Sequence, residues 1–394
     1  MRNRSGVAIF LLLAGLAGAA TGARAAAPVL LSGITPTTGP DAAGTAAVLS
    51  GEGFTDGTQF TLVGGAAFFA GSTPAGSPTF AENDIIIRDG LAYVVQIDLR
   101  IFTLTDPSSP QQVGLLGVSG DALALSGNVL LVAQGNRLTS VDISDPTLPR
   151  LLASGVATGF CDVGGAAAQG DAVYVACGRA TGVNVWNGTS FVQTVATAGP
   201  GSLFTGDVAA ANGLALVTDA VSGLVALDLA DPVDPVIIGQ LDDGTLSGRA
   251  VTLAGEIAWV GGADAVAAVD ISDPTAPALR GKAPIWVDAI GISEENGFVH
   301  AMDIRNGPHV YDGRDPDALR LLYQMQSDTF TVGFGYAVSG GHAYAVNSFF
   351  GTLDVFDVVR PVPRAWPVGP HCSPATRSAW SRRTSSCTPP ARPS

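Results

Sequence analysis

Leu224-Val225-Ala226-Leu227-Asp228-Leu229-Ala230-Asp231-Pro232 joins an apolar strand to an Asp-x-x-Asp-Pro turn, and the chain repeats that join at intervals of about forty-two residues. The clearest other copies are Val141-Asp142-Ile143-Ser144-Asp145-Pro146, Val269-Asp270-Ile271-Ser272-Asp273-Pro274 and Tyr311-Asp312-Gly313-Arg314-Asp315-Pro316. Weaker copies end at Asp106-Pro107 and Arg360-Pro361, and a degenerate one at Asn187 to Ser190 lacks the proline. A period of this length marks a repeat architecture in which each unit is one supersecondary element.

Working outward from the turn gives the content of a unit. In the unit opening at Asp207, Val208 to Ala211 reads as a first short strand and Asn212-Gly213 as a tight hairpin turn. Leu214 to Thr218 is the second strand, Leu224 to Leu229 the third, and Pro235 to Gly239 opens a fourth, outermost one. The turn glycine recurs at positions 90, 127, 170, 213, 255, 297 and 340–341, where glycine suits positive φ. A bulky apolar residue follows it each time: Tyr93, Leu131, Tyr174, Leu216, Trp259, Phe298, Tyr344. In the Asp-Pro turn, carboxylates can accept from nearby amides while proline ends the ladder. Four antiparallel strands per unit, with no heptads and no amphipathic helix, predict an all-β, seven-bladed β-propeller of four-stranded blades over residues 84–369.

The strand and turn at Leu224–Asp228 and Asp231-Pro232 resemble the LVIVD repeat of exported propeller proteins, strongly in four units and loosely in three. That resemblance implies a secreted or surface propeller and carries no catalytic residue across. Asn187 to Ser190 and Arg360 depart from its pattern. A second resemblance precedes the repeats. Ile34-Thr35-Pro36-Thr37-Thr38-Gly39-Pro40, Gly44-Thr45 and Leu49-Ser50-Gly51-Glu52-Gly53-Phe54-Thr55-Asp56-Gly57-Thr58 are similar to the opening of an IPT/TIG immunoglobulin-like module. It would be a partial β segment over residues 28–70, since a full sandwich needs about 100 residues. The Gly/Ser/Pro-rich stretch that follows makes 71–83 a linker. Two routes could close the propeller ring: Pro361 to Gly369 as the last outer strand, or Gln59 to Phe69 from the N-terminal side.

Residues 1–25 read as a signal peptide, with Arg2 and Arg4 before the apolar run Val7–Ala20 and small residues at Ala23 and Ala25. No later stretch reaches the ~20 apolar residues of a membrane span, so no stable membrane insertion is expected after cleavage. The expected location is secreted, periplasmic or cell surface, as a monomer. Residues 26–359 hold all 34 acidic residues against 11 basic ones, a net of −23, which repels phosphate backbones and excludes nucleic acid as a partner. The Ser/Arg/Pro-rich tail, 370–394, is either disordered or not native to the chain. Cys161 and Cys177, one strand apart, form a candidate disulfide; otherwise they are small buried hydrophobes.

Motifs for nucleophilic or zinc chemistry are missing from the sequence. There is no Gly-x-Ser-x-Gly elbow, and the histidines at 300, 309, 342 and 371 form no His-x-x-x-His pair. His300 and His342 read as packed strand residues and His309 as a loop residue open to a binding role. One pattern points to a site. Asp84, Asp121, Asp162, Asp207 and Asp288 each stand just before a first strand, with Arg249 and Phe334 in the two other places. If the first strands are innermost, these carboxylates approach one channel mouth and could hold calcium, which takes oxygen ligands in flexible geometry. The alternative is that each caps backbone amides of a neighbouring blade, with Arg249 neutralising part of the charge. No organic cofactor is implied. The expected function is a non-enzymatic binding or scaffold propeller engaging an extracellular protein or glycan; the alternative is a calcium-dependent hydrolase or lactonase at the channel mouth.

Overall fold

The computed structural model describes residues 68–76 and 83–358, apart from 157–162, 178–179, 187–190, 199–204, 220–222, 233, 243–245, 247, 286–287 and 325–332. It also describes short strands at 30–35, 48–52, 61–62, 364–365 and 385–387. The signal peptide, Cys161, Asp162 and all of the tail except 385–387 lie outside the described residues. The chain divides into two compact units, Ala67–Val359 and a second made of Met1–Ala66 with Arg360–Ser394.

The larger unit is an all-β propeller of four-stranded blades. Six blades are each built from four consecutive antiparallel strands. They run from Asp84–Arg88 to Gln111–Leu116 (blade 1), Ala122–Ser126 to Arg150–Val156 (blade 2) and Val163–Gln169 to Phe191–Ala198 (blade 3). Thr205–Ala211 to Val236–Leu241 (blade 4), Gly248–Ala254 to Ala278–Pro284 (blade 5) and Ala289–Glu295 to Arg320–Gln324 (blade 6) complete the set. The first strand of each blade packs against the first strand of the next, so these are the inner strands, and the condition set on the aspartate pattern is met.

The repeat predicts seven blades of four consecutive strands, and the structure corrects this to six. The last repeat unit supplies three strands, Gly333–Ser339, His342–Asn347 and Thr352–Asp357. Its fourth partner is Phe68–Pro74, from upstream of the repeats, in a composite sheet. Blades 1, 2, 4 and 5 enter their fourth strands through Asp-Pro-x-x-Pro (Asp106 to Pro110, Asp145 to Pro149, Asp231 to Pro235, Asp273 to Pro277), whereas Arg360-Pro361-Val362-Pro363 lacks both the turn-forming aspartate and that spacing. Closure therefore comes from the N-terminal side, by a strand that overlaps Gln59–Phe69 only at Phe68 and Phe69, and residues 71–74 of the expected linker are strand.

The borrowed strand is built like the outer strands it stands among. It pairs Thr352 with Pro74 through Asp357 with Phe68, with a bulge between Val355 and Phe356. The same third-to-fourth-strand bulge occurs between Ser140 and Val141, Ala226 and Leu227, and Ala268 and Val269. In blades 1, 4 and 5 the outer strand carries a glycine (Gly114, Gly239, Gly281) where a Cβ would collide with a proline carbonyl of the next blade's Asp-Pro turn. Gly71 does the same against the Ser108 carbonyl of blade 1. Thr73 Oγ1 donates to Pro110 O at 3.0 Å, and Phe69 meets Phe356 edge-on at 5.9 Å. Ser72, Thr352 and Asn347 all donate to the Asp354 carboxylate, at 2.8, 2.8 and 3.0 Å.

Hydrophobic burial lies between blades rather than in one central core. All seven bulky second-strand residues, Tyr93 to Tyr344, are buried. Trp259, Val266 and Ala268 of blade 5 pack with Ala289, Val299 and Tyr311 of blade 6. Tyr344, Val346 and Val355 of the composite sheet pack with Ile85, Val94 and Phe102 of blade 1, together with Ala75. The ring thus closes on apolar side chains as well as on hydrogen bonds. Hairpin turns link neighbouring blades at one end: Gly213 N donates to Gln169 Oε1 at 2.9 Å and Gly340 N to Glu295 Oε1 at 2.9 Å. Asp89, Asn212 and Asn296 hold positive φ before their glycines, as two-residue hairpins need.

In the smaller unit Leu30–Thr35 pairs with Val48–Glu52, which pairs with Ser385–Cys387, and Thr61–Leu62 pairs with Arg364–Ala365. These short pairings, among the described residues, do not make an immunoglobulin-like sandwich, so the IPT/TIG resemblance gains no support. Ser385–Cys387 is strand where the tail reading expected none.

Candidate functional site

The start of each inner strand and the hairpin joining the second and third strands lie at one end of a blade, because Asp84 pairs with Val95 and Gly333 with Asn347. At this end the inner strands surround a cavity of about 200 Å³ lined by Asn83, Asp84, Asp121, Asp207, Arg249 and Tyr336, among others. Three of the five aspartates singled out in the sequence therefore share one cavity. Asp288 is held by Arg249 at 3.2 Å, and Asp162 lies outside the described residues. Among the described residues no group of three or more His, Cys, Asp or Glu side chains is arranged to hold a metal ion.

The carboxylates are engaged with the backbone. Asp84 accepts from Ile85 N at 2.7 Å and, across the blade junction, from Leu123 N at 2.8 Å. Asp207 accepts from Val208 N at 2.8 Å and from Val251 N of blade 5 at 3.2 Å. A Cβ at Gly165 of blade 3 would occupy the place of the Asp207 carboxylate. Asp121 accepts from Gly135 N at 3.2 Å within its own blade. Burial raises Asp84 to about 6 and Asp207 to about 7, offset in part by these amide bonds. The nearby Asp84 charge adds to the rise at Asp207. Asn83 ties the composite sheet to blade 1: its side chain accepts from Gly335 N at 2.8 Å and donates to Ser348 Oγ.

Beside Ser348, at the rim, stand Phe349 and Phe350, 43 % and 51 % exposed and edge-to-face at 4.9 Å. Ile97, 48 % exposed, occupies the equivalent hairpin of blade 1. The Ala75–Gly76 turn lies between the two hairpins, with Gly76 N donating to Gly351 O at 3.1 Å and Gly76 abutting the Gln96 side chain. Gln96 is buried, and neither its amide oxygen nor its amide nitrogen has a hydrogen-bond partner.

The Asp-Pro turns occupy the opposite end of each blade. Asp142, Asp228, Asp270 and Asp312 each accept from the amide two residues on, at 2.9, 2.9, 2.9 and 3.3 Å. Asp145 and Asp273 accept from Thr147 N and Thr275 N at 3.0 Å. The hydroxyls of Thr147, Ser272 and Thr275, followed by the amides, hold Asp145, Asp270 and Asp273 below the usual carboxylate range, and the Ser144 amide leads in doing so for Asp142. The aspartates act as turn formers.

Residues 119–156 and 247–283, blades 2 and 5 with these turns, match the family model of the LVIVD repeat. The chain carries LVIVD repeats. No curated protein matches it. Among solved structures it is similar to a chain of the Mitotic Checkpoint Complex, at 12 % identity over 75 % of this chain and 93 % of that one, with a TM-score of 0.61. The β-propeller domain of Myceliophteria thermophila Cps50 (Swd1) aligns at 13 % identity over 75 % of this chain and all of that one, with a TM-score of 0.59. The computationally designed Ika8 protein aligns at 8 % identity, over 72 % of this chain and 98 % of that one, with a TM-score of 0.52. At such identities the likeness concerns the fold alone.

The other blades place the remaining sequence candidates. His300 is buried in a second strand with Nδ1 unpartnered, and burial lowers it to about 4. His309 is not in a loop: it lies, fully buried, in the third strand Gly307–Asp312, its Nδ1 3.2 Å from Gly307 O. Burial lowers its pKa, and the nearby Asp303 charge partly offsets this. Cys177 ends the strand Ala172–Cys177, but its pairing with Cys161 falls outside the described residues. The exposed Phe349–Phe350 pair escaped the sequence reading. Its signal is two adjacent aromatics in a hairpin that holds Gly135-Asn136 in blade 2 and Ala263-Asp264 in blade 5.

Proposed function

We propose that this chain is an exported, non-enzymatic binding or scaffold propeller that engages an extracellular protein or glycan through the face bearing the cavity. The exposed apolar trio Phe349, Phe350 and Ile97 on that face carries the reading. Other large apolar side chains, such as Leu115, Leu151 and Val236, are exposed on outer strands; these three differ in standing beside a cavity with polar lining, the grouping that recognition surfaces use. The aspartates support the same reading: both oxygens of Asp84 and of Asp207 accept backbone amides, so they join blades instead of presenting a free base. The acidic body and the N-terminal apolar run support export.

The test compares a rim variant with a variant of the outer edge. F350S and L151S chains would be presented to glycan arrays and to an extracellular protein fraction. Binding lost with F350S and kept with L151S supports the reading. A calcium-dependent rise in melting temperature after EDTA treatment, coupled to lactone or ester hydrolysis, would replace it with the hydrolase alternative.

A further inference from the structure

Resting on that reading, we propose that the partner is an extended polypeptide that seats an Arg or Lys in the acidic cavity and an apolar side chain two positions away on Phe349, Phe350 and Ile97. Three features of the face specify this chemistry. The first is charge: Asp84, Asp121 and Asp207 line the cavity, and Arg249, the cationic lining residue among those described, is held by Asp288. A cation entering such a recess favours the charged form of the carboxylates whose pKa burial has raised, and it then meets a field of the opposite sign within low-dielectric walls.

The second is size. About 200 Å³ is below the ~300 Å³ at which small-molecule pockets begin, which suits one long side chain and excludes a folded element. The third is adjacency. Cavity-lining Asn83 is bonded to Ser348, and the next two residues are the exposed phenylalanines. An extended chain advances about 3.3 Å per residue and turns alternate side chains to the same face, so positions two apart, roughly 6.6 Å, can serve cavity and rim together. The aromatic pair also argues against a glycan. Its rings stand at 90° to each other and offer an edge-to-face corner, which grips a branched or aromatic side chain better than a flat sugar face.

The experiment uses the full chain against an array of immobilised nonapeptides. The central position holds Arg, Lys, citrulline or Gln, and the positions two away hold Leu, Phe or Ser. The expected result is selection of Arg or Lys centres with an apolar flank. Citrulline should weaken binding at least tenfold, F350S or D121N should each weaken it at least tenfold, and raised salt should weaken it further. F350S removes an exposed ring and D121N keeps a side-chain acceptor, so both variants should melt like the parent chain. Equal binding of citrulline and Arg peptides that still depends on Phe350 overturns the cationic partner while leaving the binding face intact. Cationic binding indifferent to both F350S and D121N overturns the proposal and the face together. Selection of glycans in place of any peptide, with F350S abolishing it, overturns the polypeptide partner alone.

Discussion

Replacing Gly71 by alanine tests whether the upstream strand closes the ring. A Cβ at Gly71 would collide with the Ser108 carbonyl oxygen and stand 3.1 Å from its carbon, where ordinary contact begins near ~3.4 Å. Both atoms are backbone, so neither can rotate away, and the strand or the Asp106-Pro107 turn must shift by about an ångström. Overpacking of this kind costs about 1–3 kcal/mol. The upper end is expected here, because a displaced strand also strains the three bonds to Asp354 and the Phe69–Phe356 contact. At roughly 2–4 °C per kcal/mol, a cost of about 3 kcal/mol means that G71A should lower the melting temperature by about 6–12 °C. The comparators are internal. G114A and G239A meet the Pro146 and Pro274 carbonyls in the same way and should fall alike, whereas Gly117 has no atom within 4 Å of a built Cβ and G117A should be neutral. Thermal unfolding followed by near-UV circular dichroism reads all four. If G71A melts with the parent chain while G114A and G239A drop, Phe68–Pro74 is not the closing strand and the ring-closure argument fails.

Asp207, raised to about 7 by burial and by Asp84, is better tolerated protonated than charged, so its contribution to stability is lost as pH rises from 4 through 7. The rise from 3.8 corresponds to ~4 kcal/mol at full burial, but the side chain still meets cavity water, so about 1–2 kcal/mol is expected. D207N should therefore be more stable than the parent at pH 8 and nearly equal at pH 4; equal differences at both pH values would refute the assignment. His300 runs the other way. Its pKa falls from 6.5 to about 4, so stability present above pH 6.5 is lost between 6.5 and 4, and H300L should resist acid unfolding by up to about 3 kcal/mol. D354A leaves buried Asn347 without its acceptor and should cost about 2–3 kcal/mol by urea denaturation, with D354N less severe; a cost of D354A below 0.5 kcal/mol would show the network to be incidental.

The repeat made much of the architecture legible because its signals are local. Gly90, Gly127, Gly213 and Gly297 adopt the positive φ that the hairpins demand, and the Asp-Pro turns form from residues two apart in sequence. Ring closure is not local. Phe68–Pro74 joins Thr352–Asp357 across more than 270 residues, and no short-range pattern announces that pairing. One signal existed: in three blades a glycine follows the first aspartate of Asp-Pro by eight residues (106 to 114, 231 to 239, 273 to 281), and Ala70-Gly71-Ser72 resembles those outer strands with no Asp-Pro before it. A fourth strand detached from its turn is what an upstream closing segment would look like.

The aspartate pattern was legible in position but ambiguous in role, and the reason is physical. Occupying the same place in successive units puts Asp84, Asp121 and Asp207 around one cavity whatever they do there. Whether they bind a cation or bridge blades depends on backbone N–H groups that point inward from the next blade, as those of Leu123 and Val251 do. Those donors carry no side-chain identity. Arg249 fits the same logic: it stands at an aspartate position, yet its partner Asp288 belongs to the adjoining unit, so one junction is joined by an ion pair instead of an amide bond. A repeat of this kind specifies its junctions by register, and substitutions that preserve register preserve the ring. The exposed phenylalanines obey the opposite rule. They contribute little to the ladder they cap, so the fold leaves them free to vary, and a recognition surface can be changed there without disturbing the ring beneath it.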